Sequence, residues 1–138
     1  MPHDRRDPRT VLHARFQEEE RVARDAITGA PGAVWGVMAD EIEQVLTSWD
    51  GGTTHTPMVQ FGAEDPVPLL THVARHDPAR VLCELQAKRA LLEEHRMRDD
   101  GTCRTCREAA CPRSPCTTLR LLAVPYAGHP GYDDSWRP

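Results

Sequence analysis

Four of the five cysteines lie within fourteen residues, and this spacing constrains the fold more than any other feature of the sequence. Cys103 and Cys106 form a Cys-x2-Cys pair, which places two thiolates on one tight turn, as zinc sites require. Cys116 is a good third ligand, because Pro115 and Cys116 precede a predicted helix whose N-terminus stabilises a thiolate. The sequence therefore predicts a zinc-bound loop, or zinc knuckle, over residues 97–116.

The fourth ligand of this site is either His95 or Cys111. His95 lies three residues after Leu92 and four after Leu91, so it is on or near the buried stripe at the end of the preceding helix. Either choice gives four protein ligands, and such a site is structural because no position is left for water. An inert cluster of reduced thiols and a redox-active pair are the alternatives to zinc. Cys83 is interpreted as a buried apolar filler of that helix.

A metal site suits a chain of this size and composition. The chain has 138 residues, of which 5% are aromatic and twelve are proline, so its apolar side chains alone give limited stabilisation. A structural metal adds folding free energy to such a core. The length predicts one domain over residues 1–138.

No segment of the sequence indicates contact with a membrane. Residues 1–7 lack the apolar core of a secretory signal, and no apolar stretch approaches the roughly eighteen residues that span a bilayer. We therefore expect a cytoplasmic protein. In a reducing cytoplasm clustered thiols are more often metal ligands than disulfides, which supports zinc independently of the cysteine spacing.

The net charge of −4 is unevenly distributed along the chain. Residues 80–120 carry nine basic and six acidic side chains, a local excess of +3. This excess is small for a nucleic-acid binder, whose affinity comes from neutralising many phosphates. Nucleic-acid association is kept as an alternative function, carried by the arginines around the knuckle, which are Arg96, Arg98, Arg104, Arg107 and Arg113.

Apolar periodicity and turn residues predict an α+β fold. A helix is expected over 8–28, where Asp7 caps and Pro8 takes the first helical position. Residues 33–61 favour a small antiparallel sheet with a turn at Asp50, although 42–49 also fits a helical spacing. Trp35 and Trp49 in this segment are expected in the core.

The second half of the sequence is expected to be mainly helical. Residues 67–96 are predicted helical, with a break at Asp77, which caps a second helix beginning at Pro78. After the knuckle, residues 117–138 are expected to form a short helix and a loop packed through its aromatic side chains.

A second group of residues that could carry chemistry is His72, His76 and Asp77. Two histidines one helical turn apart can share a metal, and a histidine–aspartate pair occurs in metal-dependent hydrolases. Asp77 already has a structural explanation as a helix cap before proline. No catalytic residue is therefore assigned, and a metal hydrolase remains only an alternative.

Three stretches of the sequence carry a resemblance to a known family. They are residues 19–24; residues 72–82 with 84–89; and residues 115–120 with 125–132 and 136–138. The chain resembles a family of actinobacterial and actinophage proteins that share a domain of unknown function. The resemblance implies a ligand set of one helix-end histidine and three cysteines, and it implies that Cys111 is additional; the set is His95, Cys103, Cys106 and Cys116.

Taken together, these features predict an α+β domain with a long N-terminal helix, a small antiparallel sheet, a central helix, a zinc knuckle and a short C-terminal helix. The Zn²⁺ is expected to be structural. The expected function is that of a non-enzymatic accessory or regulatory protein, which acts on an unknown protein partner. Residues 126–136 are a candidate contact surface.

Overall fold

The computed structural model describes residues 7–29, 32–39, 44–60, 66–107 and 115–138. The fold is α+β, as predicted. Its elements in chain order are α1 (Pro8–Gly29), β1 (Val34–Ala39), β2 (Gln44–Trp49), β3 (Thr54–Gln60), α2 (Val67–Arg75), α3 (Pro78–Glu94) and α4 (Thr117–Ala123), followed by short 3₁₀ helices at Val124–Tyr126 and Asp134–Trp136.

The chain divides into two compact units. The first comprises Met1–Glu18 and Gln86–Pro138, and the second comprises Glu19–Leu85. The single domain expected over residues 1–138 stays a prediction. In the part of the chain that the structure describes, no helix is long and apolar enough to cross a bilayer.

The second unit contains the three-stranded antiparallel sheet in the order β1-β2-β3. Val34 pairs with Trp49 across β1 and β2, and Trp49 pairs with Thr54 across β2 and β3. Between the last two strands, Asp50 Oδ1 accepts hydrogen bonds from the N–H groups of Gly52 and Thr53 at 3.0 and 2.8 Å. The predicted sheet over 33–61 is therefore confirmed in its described residues, including β2 as a strand.

The prediction that both tryptophans of the sheet lie in the core is wrong for Trp49. This side chain is 49% exposed, because it stands at the end of β2 opposite Val34, which is itself 43% exposed. Trp35 is half-buried and its indole N–H donates to the Gly32 carbonyl at 3.3 Å. Gly32 has a φ of +107°, and a Cβ there would lie 2.5 Å from the Trp49 carbonyl group, so the close backbone approach requires glycine.

The predicted cap at Asp77 fixes the start of α3. Its Oδ1 accepts from the Arg80 N–H at 2.8 Å, while Oδ2 accepts from the Trp35 N–H at 3.2 Å. Both carboxylate oxygens therefore have structural partners.

The buried side of α3 shows why the interpretation of Cys83 is wrong. Leu85 and Leu92 are buried and lie seven residues apart, on one face of the helix. Cys83 is two residues from Leu85, which turns its side chain about 200° away, and the cysteine is exposed.

The first unit has a core built from α1, α3, α4 and the segment after α4. Its fully buried side chains include Leu12, Phe16, Leu92 and Trp136. The aromatic tail packs as predicted, since Tyr132 meets Trp136 edge-on with ring centroids 5.4 Å apart. Because Trp136 is buried, it offers no contact surface to a partner, and only the exposed residues of 126–136 can do so.

Candidate metal centre

The four side chains assigned as zinc ligands come together in the first unit. His95 directly follows α3, Cys103 and Cys106 lie on the turn after a short hairpin, and Cys116 is the residue before α4. Their ligand atoms all lie within 4.8 Å of one another. Among the residues that the structure describes, they form the only group of three or more histidine, cysteine or carboxylate side chains able to hold a metal ion.

The distances within this group match a tetrahedral metal site. His95 Nδ1 lies 3.2 Å from Cys106 Sγ, 3.5 Å from Cys103 Sγ and 3.7 Å from Cys116 Sγ. In a tetrahedron with ordinary zinc bond lengths, a nitrogen and a sulfur ligand are about 3.6 Å apart. The nitrogen–sulfur distances therefore fit a metal ion held by one imidazole and three thiolates.

A β-hairpin places Cys103 opposite the end of α3. Met97 and Cys103 form an antiparallel bridge, and the Arg98 N–H donates to the Thr102 carbonyl at 2.8 Å. Gly101, with a φ of +78°, supplies the positive φ of the turn. Asp100 Oδ1 accepts from the Thr102 hydroxyl at 2.6 Å and the Thr102 N–H at 2.9 Å, and these two bonds lower the pKa of the Asp100 carboxyl.

The turn from Cys103 to Arg107 explains how two thiolates reach one point. The Arg107 N–H donates to the Cys103 carbonyl at 3.0 Å, and Arg107 takes a left-handed conformation with a φ of +56°. Thr105 Oγ1 donates to the Glu94 carbonyl at 2.7 Å, which joins this turn to the end of α3.

The environment of Cys103 favours its thiolate. Burial opposes ionisation, but the backbone N–H groups of Cys106 and Thr105, with the His95 side chain, outweigh it and lower the pKa of Cys103 to about 7. A thiolate at neutral pH is the form that binds metal.

Cys116 behaves differently from the expectation that a helix N-terminus would stabilise its thiolate. Burial is the largest effect and raises the pKa of Cys116 to about 11, and the nearby Cys103 and Cys106 add to the rise. The backbone N–H of Leu119 acts in the opposite direction but is too weak to compensate. Metal binding must therefore displace a proton from Cys116.

Two threonines support the site and were missed from the sequence. Thr105 bonds to the end of α3, and Thr118 Oγ1 lies 3.9 Å from Cys106 Sγ. Partners of this kind orient the ligands of a metal site. A threonine two residues after a predicted ligand has no distinctive spacing, so only the folded geometry identifies Thr118.

The alternative fourth ligand, Cys111, lies outside the described residues, as does Arg113. The role of Cys111 therefore stays a prediction. His95 supplies the fourth ligand atom of the cluster that the structure describes.

The second predicted constellation does not form a comparable centre. The rings of His72 and His76 lie 4.5 Å apart, and His76 Nδ1 is 2.8 Å from the His72 carbonyl oxygen. With Asp77 occupied by backbone N–H groups, the described residues around these histidines do not assemble a third metal ligand. The geometry of His72, His76 and Asp77 therefore does not support the metal-hydrolase alternative.

Comparison with known proteins gives a family but no activity. A family model, DUF6221, described as a family of unknown function, matches residues 6–138. No curated protein and no solved structure matches the chain. The function therefore has to be argued from the residues of the site.

Proposed function

We propose that this chain, which belongs to DUF6221, a family of unknown function, is a zinc-stabilised, non-enzymatic accessory or regulatory protein. It would act through contacts with a partner protein in the cytoplasm. The single observation that supports this proposal most is the grouping of His95 with Cys103, Cys106 and Cys116 within 4.8 Å.

The chemistry of the ligands favours zinc as the metal. Thiolates and imidazole suit zinc, whereas magnesium and calcium prefer oxygen ligands. Zinc has no redox chemistry of its own, so its contribution would be a link between the end of α3, the hairpin and the start of α4. Because the first unit has a small core, this link would supply a large part of its stability.

The completeness of the ligand set argues against catalysis at this site. Catalytic zinc sites keep one position open for water or substrate, and four protein ligands fill a tetrahedron. Cys103 and Cys116 are buried, which limits access of a substrate to the metal.

Exposed apolar side chains at the C-terminal end of α4 and the residue that follows it support a role in protein contacts. Leu121 is 56% exposed and Val124, three residues later, is 43% exposed, whereas Leu119 and Ala123 are buried. Residues three apart on a helix lie on the same side. Contiguous exposed apolar patches mark contact surfaces, and in this proposal Leu121 and Val124 would form part of one.

We expect the purified protein to contain one zinc ion per chain. The His95→Ala variant should lose it, because three ligands remain, while Cys111→Ser should keep it. The measurement is elemental mass spectrometry on protein purified without added metal, combined with native mass spectrometry for the ratio. Zinc lost from Cys111→Ser and kept in His95→Ala would replace the proposed ligand set by four cysteines, and protein without zinc would overturn the proposal.

A further inference from the structure

Two arginines stand opposite each other at the base of the metal-site hairpin. Arg96 directly follows the ligand His95, Arg104 directly follows the ligand Cys103, and the Arg104 N–H donates to the Arg96 carbonyl at 2.9 Å. Opposite residues of an antiparallel pair project to the same side, and like charges in such positions destabilise the pair. Repulsion between the two guanidinium groups therefore destabilises the hairpin at this position.

Carboxylates do not offset this cost within the described part of the chain. There, the side chains of Arg96 and Arg104 have neither an ion pair nor a hydrogen bond. A third guanidinium lies beside them, since Arg98 Nη2 donates to the Arg104 carbonyl at 3.0 Å. Three cationic groups thus share one side of the hairpin.

These arginines line a depression of about 750 Å³. The other described residues of its lining are Met97, Asp99 and Asp100, and all six are exposed. The two carboxylates belong to the turn, where Asp100 is bonded to Thr102 and interacts electrostatically with Arg98, the arginine next to the turn. Arg96 and Arg104 are at the other end of the hairpin, so an incoming anion meets cations there.

We infer that Arg96, Arg98 and Arg104 bind the phosphate groups of a nucleic-acid backbone. Guanidinium groups present paired N–H donors that match phosphate oxygens. None of its described lining residues is aromatic and it is open to solvent, so these residues offer bases no stacking platform and suit contacts independent of base sequence.

The metal site would hold the two principal arginines in place. His95 and Cys103 are both predicted ligands, so a bound metal fixes the backbone on which Arg96 and Arg104 stand. This inference rests on the proposed zinc site for that preorganisation and goes beyond it in naming a ligand. A chain with a net charge of −4 should bind weakly and only at low salt.

The test measures binding to fluorescein-labelled duplex DNA of about 20 base pairs by fluorescence anisotropy. Three phosphate contacts give a slope of about −2.7 for log affinity against log salt concentration, or about 40-fold weaker binding at 200 mM than at 50 mM salt. Replacing Arg96→Gln and Arg104→Gln together should reduce the slope to about −0.9. The matched control is Arg75→Gln, an exposed arginine on α2 in the other unit, which should bind like the wild type.

Three results would overturn the inference. The first is the absence of DNA binding at about 50 mM salt. The second is a loss of binding in Arg75→Gln as large as that in the Arg96→Gln, Arg104→Gln double variant. The third is competition by polyglutamate as effective as competition by unlabelled DNA, which would mean that the arginines bind an acidic protein. Zinc content is measured on every sample. Failure of the zinc proposal appears as protein without zinc, whereas failure of this inference appears as zinc-loaded protein that does not bind DNA.

Discussion

Cys103 and Cys116 contribute to the same cluster, yet their surroundings change the acidity of their thiols in opposite directions. Amide groups lower the pKa of Cys103 from 9.0 to about 7, and burial raises the pKa of Cys116 from 9.0 to about 11. Once zinc has been removed by a chelator, each difference between the folded and unfolded pKa becomes a dependence of stability on pH.

We expect the chelated protein to be most stable near pH 9. The stabilisation from Cys103 is full above 9.0 and is lost as the pH falls through about 7, because the unfolded thiol then binds the proton that the folded one releases. The stabilisation from protonated Cys116 is full below 9.0 and is lost as the pH rises through about 11. Melting temperatures followed by circular dichroism across this range measure the effect.

The Cys116→Ser variant provides the comparison for this pH dependence. It should retain the rise in stability between about pH 7 and 9 and lose part of the decline above 9. A chelated wild type whose melting temperature declines steadily from pH 7 would contradict the expectation.

At the scale of single residues, the sequence pointed to the four side chains of the cluster but not to their environments. Cys103 and Cys106 are recognisable because two thiolates from one turn need two intervening residues. The raised pKa of Cys116 depends on burial by residues distant in sequence, which spacing does not report. The exposure of Cys83 and Trp49 was missed for the same reason, since burial depends on what packs against a side chain.

At the scale of elements, α4 depends on its neighbours for its existence. It contains seven residues, whereas isolated helices need about twelve or more to persist in water. Its first residue follows Cys116, so a bound metal would fix the point at which the helix begins. Leu119 and Ala123 then anchor it to the core of the first unit.

We expect zinc removal to loosen α4 selectively. Amide hydrogens of α4 (Thr117–Ala123) should exchange with solvent at least about tenfold faster after chelation, which corresponds to about 1.4 kcal/mol of lost local stability. Hydrogen–deuterium exchange with mass spectrometry measures this change. The comparison is α2 (Val67–Arg75), which belongs to the other unit and does not begin at a residue of the cluster, so its exchange should accelerate less than that of α4. Equal acceleration of α2 and α4 would contradict a local effect of the metal on α4.

Helix boundaries were predictable where a capping residue marks them. Asp77 and Pro78 predicted the start of α3. In the structure, the Asp77 carboxylate accepts a hydrogen bond from the N–H of Arg80. The state of β2 was ambiguous, because Val45 and Trp49 fit both a helical and an alternating pattern. Pairing with β1 and β3 decides it, and pairing is a property of distant residues.

At the scale of the whole molecule, the prediction that residues 1–138 form one domain can be tested by thermal unfolding. If residues 1–138 unfold as one domain, loss of a ligand in the first unit should lower the stability of the whole chain. We expect Cys106→Ser to reduce the melting temperature by more than about 10 °C, because a structural zinc site contributes several kcal/mol. The transition should remain single.

Differential scanning calorimetry distinguishes a single unfolding transition from independent unfolding of the two units. The matched substitution is Cys83→Ser, at the exposed cysteine of α3, which should change the melting temperature by little. Two separate transitions in Cys106→Ser, with one at the wild-type temperature, would mean that the units unfold independently.

The arrangement of ligands in the sequence also bears on how such a protein can change over evolutionary time. Nine residues separate Cys106 from Cys116, and both cysteines belong to the cluster that could hold a metal ion. Once a metal holds the two ends of a segment, lengthening the segment adds only a slowly growing entropic cost. Insertions between Cys106 and Cys116 should therefore cost the fold little stability over evolutionary time, as long as the metal holds both ends.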